Sequence, residues 1–321
     1  GKLSWKKSGP TSGTSRRRLL MANTDILTLN RSQYESVQER KKTMKRKLPF
    51  AYGKISGYVI FILFTFLTIY PLVWLGYSSL KTNKEIQTSP LSLPAKPQVS
   101  NYTNAWRIAD LGRAAFNSVI YTGVSTTLVL LSAMMASYVF AKSRFVWVSR
   151  ILFAMIALGL LISTHSILIP LFLFLRSIGL TNSRLGVILA YSAVNLPLAV
   201  FLGTEFIRGL PDSLMESARM DGAGNFTIFR SIILPMTKSV LVTAGIMTGF
   251  ACWNEFLLSF VLTGPATRSL PVRVFAFANP RVPQYHLQFA ALMISVLPIL
   301  IIYGMFNRRI TRGVVAGAIK G

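Results

Sequence analysis

Six long apolar stretches constrain this chain more than any other feature. Each is long enough to cross a bilayer as a helix, which needs roughly 20 apolar residues. The chain is 52% hydrophobic with a mean hydropathy of +0.49, and only 14% of its residues are charged, against roughly 25% in soluble domains. We therefore predict an all-α, polytopic membrane protein with six transmembrane helices, at about residues 55–80, 117–141, 151–175, 185–206, 239–262 and 287–306.

The basic residues predict how these spans are oriented. If the N-terminus lies in the cytoplasm, 25 of the 35 Lys and Arg residues fall on the cytoplasmic side, as the positive-inside rule requires. Both termini are then cytoplasmic, and residues 1–54 form a basic segment that is disordered or associated with the membrane surface. A net charge of +25 would suggest a nucleic-acid partner in a soluble protein. Here the basic residues are concentrated in the segments on the cytoplasmic side of the predicted spans, as in a membrane protein, so we predict no nucleic-acid partner.

The sequence carries no signature of catalysis. With one cysteine, Cys252, and two histidines, it offers little from which to build a metal site, and we predict none. It also lacks a glycine-rich phosphate-binding loop that ends in Lys-Ser or Lys-Thr, the pattern that cradles nucleotide phosphates. We therefore expect neither enzymatic activity nor a bound cofactor in this chain.

The loop between the fourth and fifth spans predicts a short amphipathic helix. Pro211 and Asp212 suit its first turn, and Gly222 suits its end. Its apolar face is formed by residues three to four positions apart: Leu214, Met215 and Ala218. Asn225 is then expected to cap a second segment, residues 226–234. A helix that simply lies on lipid headgroups would have the same apolar face. The apolar face alone therefore leaves open whether the helix contacts lipid or another protein.

The same loop resembles the EAA loop of importer-type ABC permeases. That pattern reads Glu-Ala-Ala, then Gly after three residues, then Ile-x-Leu-Pro. Here Glu216-Ser217-Ala218 is followed by Gly222 and by residues 232–235, Ile-Ile-Leu-Pro. The resemblance implies a coupling helix at about residues 211–224, docked in a cleft of a separate ATPase subunit. The residues implied in this coupling are Leu214, Met215, Glu216, Ser217, Ala218, Asp221, Gly222, Ala223 and Gly224.

Further motifs from residue 55 onward are similar to the MalG-type permeases of carbohydrate-uptake ABC importers. They include residues 253–256, Trp-Asn-Glu-Phe, and the tail, residues 316–321. The resemblance implies the type I ABC importer permease fold in residues 55–308. It also implies a cytoplasmic tail, residues 309–321, that contacts the ATPase. The tail residues implied in that contact are Ala316, Gly317, Ala318 and Lys320.

The resemblance implies partners and a location as well. The expected partners are a second, MalF-like permease, a dimer of ATPase subunits that use ATP and Mg²⁺, and an extracytoplasmic solute-binding protein. The expected location is the inner membrane of a bacterium. Two outward loops, residues 81–116 and 263–286, are rich in proline; they offer surfaces for a partner or serve as ordinary connectors.

Polar residues inside the predicted spans are candidates for the translocation path. Glu255 has two functional interpretations: it lines the path, or it braces a helix beside the path. It also has two structural interpretations: an interhelical clamp with Asn254, or an acid that burial keeps protonated. His165 hydrogen-bonds a hydroxylated solute or serves packing. Asn195, next to a proline, faces the cavity or serves the loosened backbone. Trp253 completes the candidate set.

Three functions remain open on these grounds. The first is the permease of an ATP-driven importer that takes up a sugar or oligosaccharide by alternating access. Its substrate is either neutral, such as a malto-oligosaccharide, or acidic, such as an alginate-like uronate oligomer. The second is a proton-coupled secondary transporter that uses Glu255 and no ATPase. The third is a membrane scaffold or sensor, which would leave the polar residues in the spans unexplained. The coupling-helix pattern favours the importer.

Overall fold

The protein is helical throughout the computed structural model, which describes residues 50–278 and 282–318, and the side chains of residues 56–278 and 282–304. These residues contain no β-strand, so the all-α prediction is confirmed. The chain forms two units, residues 1–70 and 71–321, and the predicted coupling and path residues all belong to the second. The predictions for residues 1–49 and for Lys320 lie outside the described residues.

The helices follow one another through short connections. In chain order, the described ranges contain α1 (Phe50–Ser78), α2 (Asn83–Thr88), α3 (Ser100–Ile108), α4 (Leu111–Lys142), α5 (Val146–Leu158), α6 (Thr164–Ser177), α7 (Arg184–Arg208), α8 (Ser213–Met220), α9 (Asn225–Ile228), α10 (Leu234–Met236), α11 (Lys238–Asn254), α12 (Leu257–Leu262), α13 (Leu270–Phe275) and α14 (Tyr285–Ala318). A 3₁₀ turn, Gly159–Leu161, extends α5, and a π-helical turn, Phe229–Ile233, joins α9 to α10. The backbone of the predicted tail, as far as residue 318, continues α14 without a break.

Within the described residues, four uninterrupted helical stretches are long and apolar enough to cross a membrane. They are Ser56–Ser78, Leu111–Lys142, Arg184–Arg208 and Tyr285–Gly304. Two further stretches are helix pairs bent at a short break. Val146–Leu161 meets Thr164–Ser177 at 107°, and Asn225–Met236 meets Lys238–Asn254 at 74°. If each bent pair is one span, the total is the predicted six.

The packing of α4 against α7 organises the second unit. The Ser125 hydroxyl donates to the Ile188 carbonyl at 3.2 Å, and the Ser137 hydroxyl donates to the Val200 carbonyl at 3.0 Å. Both bonds join residues 63 positions apart, so α4 and α7 run parallel. Small residues and hydroxyl bonds are what allow helices to approach closely in a membrane. Because the two helices run parallel, the bent pair α5 and α6 carries the chain back to the side where α4 begins.

The third predicted span, residues 151–175, is wrong as a continuous helix. The helix stops after Leu161 and resumes at Thr164, where the Ser163 hydroxyl accepts the His165 N–H at 3.4 Å. This is N-cap behaviour, which favours a new helix start. Just before the break, a Cβ on Gly159 would lie 2.9 Å from the Pro197 ring. The break therefore packs closely against α7.

The fifth predicted span, residues 239–262, is also wrong as a continuous helix. α11 ends at Asn254, Glu255 has an extended backbone, and α12 begins at Leu257. The Glu255 carboxylate accepts the Leu258 N–H at 2.8 Å, which satisfies a donor that the start of α12 would otherwise leave free. Glu255 thus lies at a helix break and not inside a helix. Non-helical backbone at membrane depth is tolerated where protein or a cavity surrounds it.

Candidate functional site

α8 ends in the way that its glycine predicts. Gly222 has a φ of 80°, a left-handed conformation that glycine adopts without steric cost. The Gly222 N–H donates to the Arg219 carbonyl at 3.0 Å, and the Ala223 N–H donates to the Ala218 carbonyl at 2.9 Å. These two bonds form a Schellman motif. The spacing of Ala218, Gly222 and Ala223 therefore has a direct role in stopping the helix.

One side of α8 rests on a small apolar core. Met215 is only 4% exposed and packs with Ile207, Ile228 and Ile233. Ala218 and Ala223, the two ends of the Schellman bond, are partly buried against the same cluster. The core therefore joins α8 to the end of α7 and to the π-helical turn, so that α8 is held as part of the second unit.

The opposite side of α8 is exposed and carries Met220, a large apolar residue that the sequence reasoning missed; a second such residue, Phe226, follows in α9. Met220 is 89% exposed and Phe226 is 69% exposed. At 3.6 residues per turn, Met220 lies roughly 140° around the helix from Met215, away from the apolar core. Glu216, Ser217, Asp221 and Gly222 are exposed as well. The signal available in the sequence was an apolar residue on the polar face of an amphipathic helix.

Lys142, the last residue of α4, ties down the segment that leads into α8. Its ammonium group donates to the Leu210 carbonyl at 2.9 Å and pairs with the Asp212 carboxylate at 2.7 Å. The Lys142 side chain is 8% exposed, whereas that of Asp212 is 73% exposed. The sequence reasoning counted Lys142 only as one positive charge among many, because nothing local connects it to residues about 70 positions away.

Asp212 lies at the predicted start of the helix, as the N-cap of α8, and its carboxylate pairs with Lys142 and makes no side-chain bond to the helix. Two predictions for the segment that follows α8 are corrected. Asn225 is the first residue of α9, and Gly224 is the N-cap. The segment after it is a π-helical turn between two short helices and not one helix. Pro235 has no N–H to continue a regular helical ladder.

The N-terminal end of α4 holds a different loop, residues 263–269. The Asn117 amide donates to the Ala266 and Arg268 carbonyls, both at 3.1 Å, and its oxygen accepts the Arg184 side chain at 3.0 Å. The Tyr121 hydroxyl donates to the Thr267 carbonyl at 2.6 Å. The Ser118 hydroxyl accepts the Leu270 N–H at 2.8 Å. Neutral groups of α4 thus fix this loop and the first residue of α13.

The first proline-rich loop is ordered by buried polar groups. The fully buried Lys81 donates to the carbonyls of Ser89 and Pro90, each at 3.0 Å. At the start of α2, Thr82 and Glu85 form a capping box. Hydrogen bonds from the Thr82 backbone, the Thr82 hydroxyl and the Ala95 backbone hold the pKa of Glu85 below its usual range. The loop therefore presents a fixed surface beside α14.

Two of the predicted path residues come together where α7 meets the end of α11. The Asn195 amide donates to the Tyr191 carbonyl at 2.8 Å and lies 3.7 Å from the Cys252 sulfur. The Tyr191 hydroxyl donates to the Glu255 carbonyl at 3.2 Å. Asn195 and Glu255 are both half-buried. This junction places a polar break of α11 against the middle of α7.

The other three predicted path residues lie elsewhere. Trp253 is buried, and its indole N–H donates to the Ser295 carbonyl of α14 at 3.3 Å. Asn254 is exposed and donates to the Phe250 carbonyl of its own helix at 2.9 Å; in the part of the chain that the structure describes, it does not form the predicted clamp. His165 is exposed at the start of α6. The five residues therefore do not line one common pocket.

Among the described residues, no group of three or more His, Cys, Asp or Glu side chains is arranged to hold a metal ion. Cys252, the single cysteine, is buried.

Residues 129–315 match the family model of the binding-protein-dependent transport system inner membrane component. The chain belongs to this family. The resemblance to MalG-type permeases is therefore confirmed, and the family is one of transporter permease subunits in the inner membrane.

Curated relatives of the permease agree with this assignment. It is 35% identical over 267 residues to the diacetylchitobiose uptake system permease protein NgcG of Streptomyces coelicolor, covering 82% of this chain and 88% of that protein. It is 30% identical over 253 residues to the melibiose/raffinose/stachyose import permease protein MelC of Bacillus subtilis, covering 78% and 91% of the two chains.

Solved structures agree on the fold of the permease. A chain of a bacterial ABC transporter involved in the import of the acidic polysaccharide alginate matches with a TM-score of 0.70 and 21% identity, over 80% of this chain and 96% of that chain. A chain of the alginate transporter in complex with an alginate pentasaccharide-bound periplasmic protein matches with a TM-score of 0.61 and 15% identity, over 84% and 97%. The predicted type I permease fold is confirmed.

Proposed function

We propose that the permease is a transmembrane subunit of an ATP-driven, binding-protein-dependent importer that moves a sugar or oligosaccharide by alternating access. The observation that carries this proposal is α8, a short helix with a buried base, a Schellman stop and an exposed face that bears Met220, followed in α9 by the exposed Phe226. Exposed apolar anchors on a rigid element are typical of protein interfaces. This face would dock in a cleft of the partner ATPase.

The orientation proposed from the basic residues places α8 in the cytoplasm, where an ATPase is available. ATP and Mg²⁺ are then used by the partner ATPase dimer, and this chain binds neither. The C-terminal residues Ala316, Gly317, Ala318 and Lys320 are proposed to reach the same partner. A second, MalF-like permease would complete the membrane domain.

The mechanism we propose uses α4 as the link between the two faces of the membrane. Closure of the ATPase dimer moves α8, and Lys142 carries that movement into α4. The other end of α4 holds the loop at residues 263–269, which would face the solute-binding protein together with the first outward loop. A conformational change is explained only if the partners bind its two states with different affinity. Here nucleotide-driven closure supplies that difference.

A carbohydrate substrate is supported by the names of the relatives, which include systems for diacetylchitobiose and for melibiose, raffinose and stachyose. Neutral and acidic oligosaccharides both fit this class. The junction of Asn195 and Glu255 is proposed to border the path, because it joins polar side chains to a helix break. His165 and Asn254, which are exposed, are proposed to face the path or the second permease, and Trp253 to brace α11 beside it.

Membership in a family of binding-protein-dependent permeases argues against the proton-coupled transporter and the scaffold. Glu255→Gln tests the first of these directly. We expect uptake to persist, because the amide oxygen can still accept the Leu258 N–H. Loss of uptake together with loss of its pH dependence would favour proton coupling.

The docking proposal is tested by Phe226→Glu, with Thr227→Glu as the matched control on the same short helix. Both residues are exposed, so neither change disturbs the core. We expect Phe226→Glu to lower ATPase co-purification in mild detergent at least tenfold, since interface hot spots contribute about 2 kcal/mol or more. Thr227→Glu should keep the ATPase bound. Equal retention by both variants would contradict the docking face, and absence of any ATPase from the wild-type complex would contradict the proposed function.

A further inference from the structure

A cleft of about 780 Å³ opens between the C-terminal end of α4, the turn that follows it, and α8 with α9. Residues that line it include Tyr138, Lys142, Arg144, Phe145, Arg219 and Asn225. Its volume is in the range of small-molecule sites, roughly 300 to 1,000 Å³. Tyr138 also packs against the apolar core beneath α8, whereas the other residues that line the cleft lie outside that core.

The cleft has an excess of positive charge. Lys142 is neutralised by Asp212, but Arg144 and Arg219 take part in no ion pair within the ranges that the structure describes. None of the residues lining the cleft is acidic. Asp212 and Glu216 instead line a smaller adjoining cavity of about 230 Å³. Arg219 lines both cavities. The Arg144 guanidinium lies 4.8 Å from the Phe145 ring, a stacking that uses its face and not its N–H groups. The planar fork of each guanidinium matches the oxygens of a phosphate.

The rim of the cleft has the character of a membrane interface. Val139 and Phe145, at its edge, are exposed apolar residues, and α5 continues with the exposed Val146 and Trp147. The Arg150 guanidinium lies 5.6 Å from the Trp147 ring. Tryptophan beside basic residues is typical of the headgroup level of a bilayer. An apolar rim would not suit a freely diffusing anion or an acidic peptide, but it suits acyl chains.

We propose that this cleft binds the phosphate of an anionic phospholipid from the leaflet that faces α8. Arg144 and Arg219 donate to the phosphate, and the acyl chains lie along Val139 and Phe145. Basic pockets between transmembrane helices on the cytoplasmic side are suited to such headgroups. The inference rests on the cytoplasmic orientation proposed for α8. Because Arg219 belongs to α8, a bound lipid would also bias the position of the coupling helix.

The test uses the complete transporter in nanodiscs that contain phosphatidylcholine with a minor fraction of phosphatidylglycerol. Native mass spectrometry counts the phosphatidylglycerol molecules retained by wild type, by Arg144→Gln and by Arg150→Gln. Arg150 is the matched control, because it is an exposed arginine of the same region that does not line the cleft. We expect Arg144→Gln to weaken retention about tenfold, because the variant loses a charge-assisted hydrogen bond to the phosphate. Arg150→Gln should change it less than twofold.

Four results would overturn the inference. Equal loss of lipid in both variants would show a diffuse surface attraction. Displacement of the lipid by millimolar inorganic phosphate would show that the cleft takes a free anion. Weaker ATPase association of Arg144→Gln in phosphatidylcholine alone would show that the cleft receives an acidic group of the ATPase. A complex that assembles and hydrolyses ATP but retains no phosphatidylglycerol would refute the lipid site alone and leave the proposed function intact.

Discussion

The two ends of α4 are held in contrasting ways. At its N-terminal end, Asn117, Ser118 and Tyr121 make neutral hydrogen bonds to the backbone of one loop. At its C-terminal end, Lys142 alone reaches both Leu210 and Asp212. The first end is redundant, since losing one bond leaves the others. At the second end Tyr138 and Ala141 pack against the apolar core beneath α8, but the polar connection depends on one charged side chain. We therefore expect the second end to be the more sensitive to a single substitution.

The largest effect is expected from Lys142→Met, which removes both contacts at the C-terminal end of α4. The Asp212 carboxylate is mostly exposed and becomes hydrated, whereas the Leu210 carbonyl loses its buried donor, at a cost of about 1–3 kcal/mol. We expect coupled uptake to fall about tenfold, within the usual span of coupling free energies. Uptake and binding-protein-stimulated ATPase activity, measured on the reconstituted complex, check this.

The control for that variant is Glu205→Gln. Glu205 pairs with Arg208 at 2.7 Å at the end of α7, but both side chains are substantially exposed and belong to one helix, so the pair contributes little. The double variant Lys142→Asp with Asp212→Lys restores the ion pair in reverse and should recover part of the uptake. Normal uptake by Lys142→Met would show that the C-terminal end of α4 does not depend on a single side chain.

An intermediate effect is expected from Gly222→Ala. Alanine at a φ of 80° costs about 1–2 kcal/mol. This strain weakens the Schellman motif and the packing of α8 on the apolar core beneath it. We expect uptake to fall roughly fivefold while the complex still assembles. Gly224→Ala is the matched control, since Gly224 has a φ of −73° and open space around it. Equal transport by both variants would show that the left-handed turn at the C-terminal end of α8 is not needed to couple α8 to transport.

The smallest effect is expected from Tyr121→Phe at the N-terminal end of α4. The variant loses the bond to Thr267, worth about 0.5–1.5 kcal/mol, but it keeps the ring packed against Tyr191. Asn117 and Ser118 still hold the loop, so we expect uptake within about twofold of wild type and a small drop in the thermal unfolding midpoint. A tenfold loss of uptake would show that this end is as dependent on single residues as the other.

Much of the architecture followed from local patterns. The apolar stretches predicted the helices, and Gly222 predicted the end of α8, because both features act over a few residues. The breaks at Ser163 and Glu255 were missed because a run of apolar residues does not reveal where a side chain will cap the backbone. The contacts of Lys142 were missed for another reason, since its partners lie 68 and 70 residues away and only the folded chain brings them together.

The close approach of α4 and α7 at Ser137 has a mechanical consequence. A Cβ on Gly203 would lie 2.5 Å from the Ser137 hydroxyl, so the two helices are too close to slide past each other there. About 18 Å away along α4, at 1.5 Å per residue, Ser125 joins them a second time. Because α4 and α7 are held at both points, we expect them to move as one rigid body, so that a displacement at Lys142 reaches the Asn117 end undiminished.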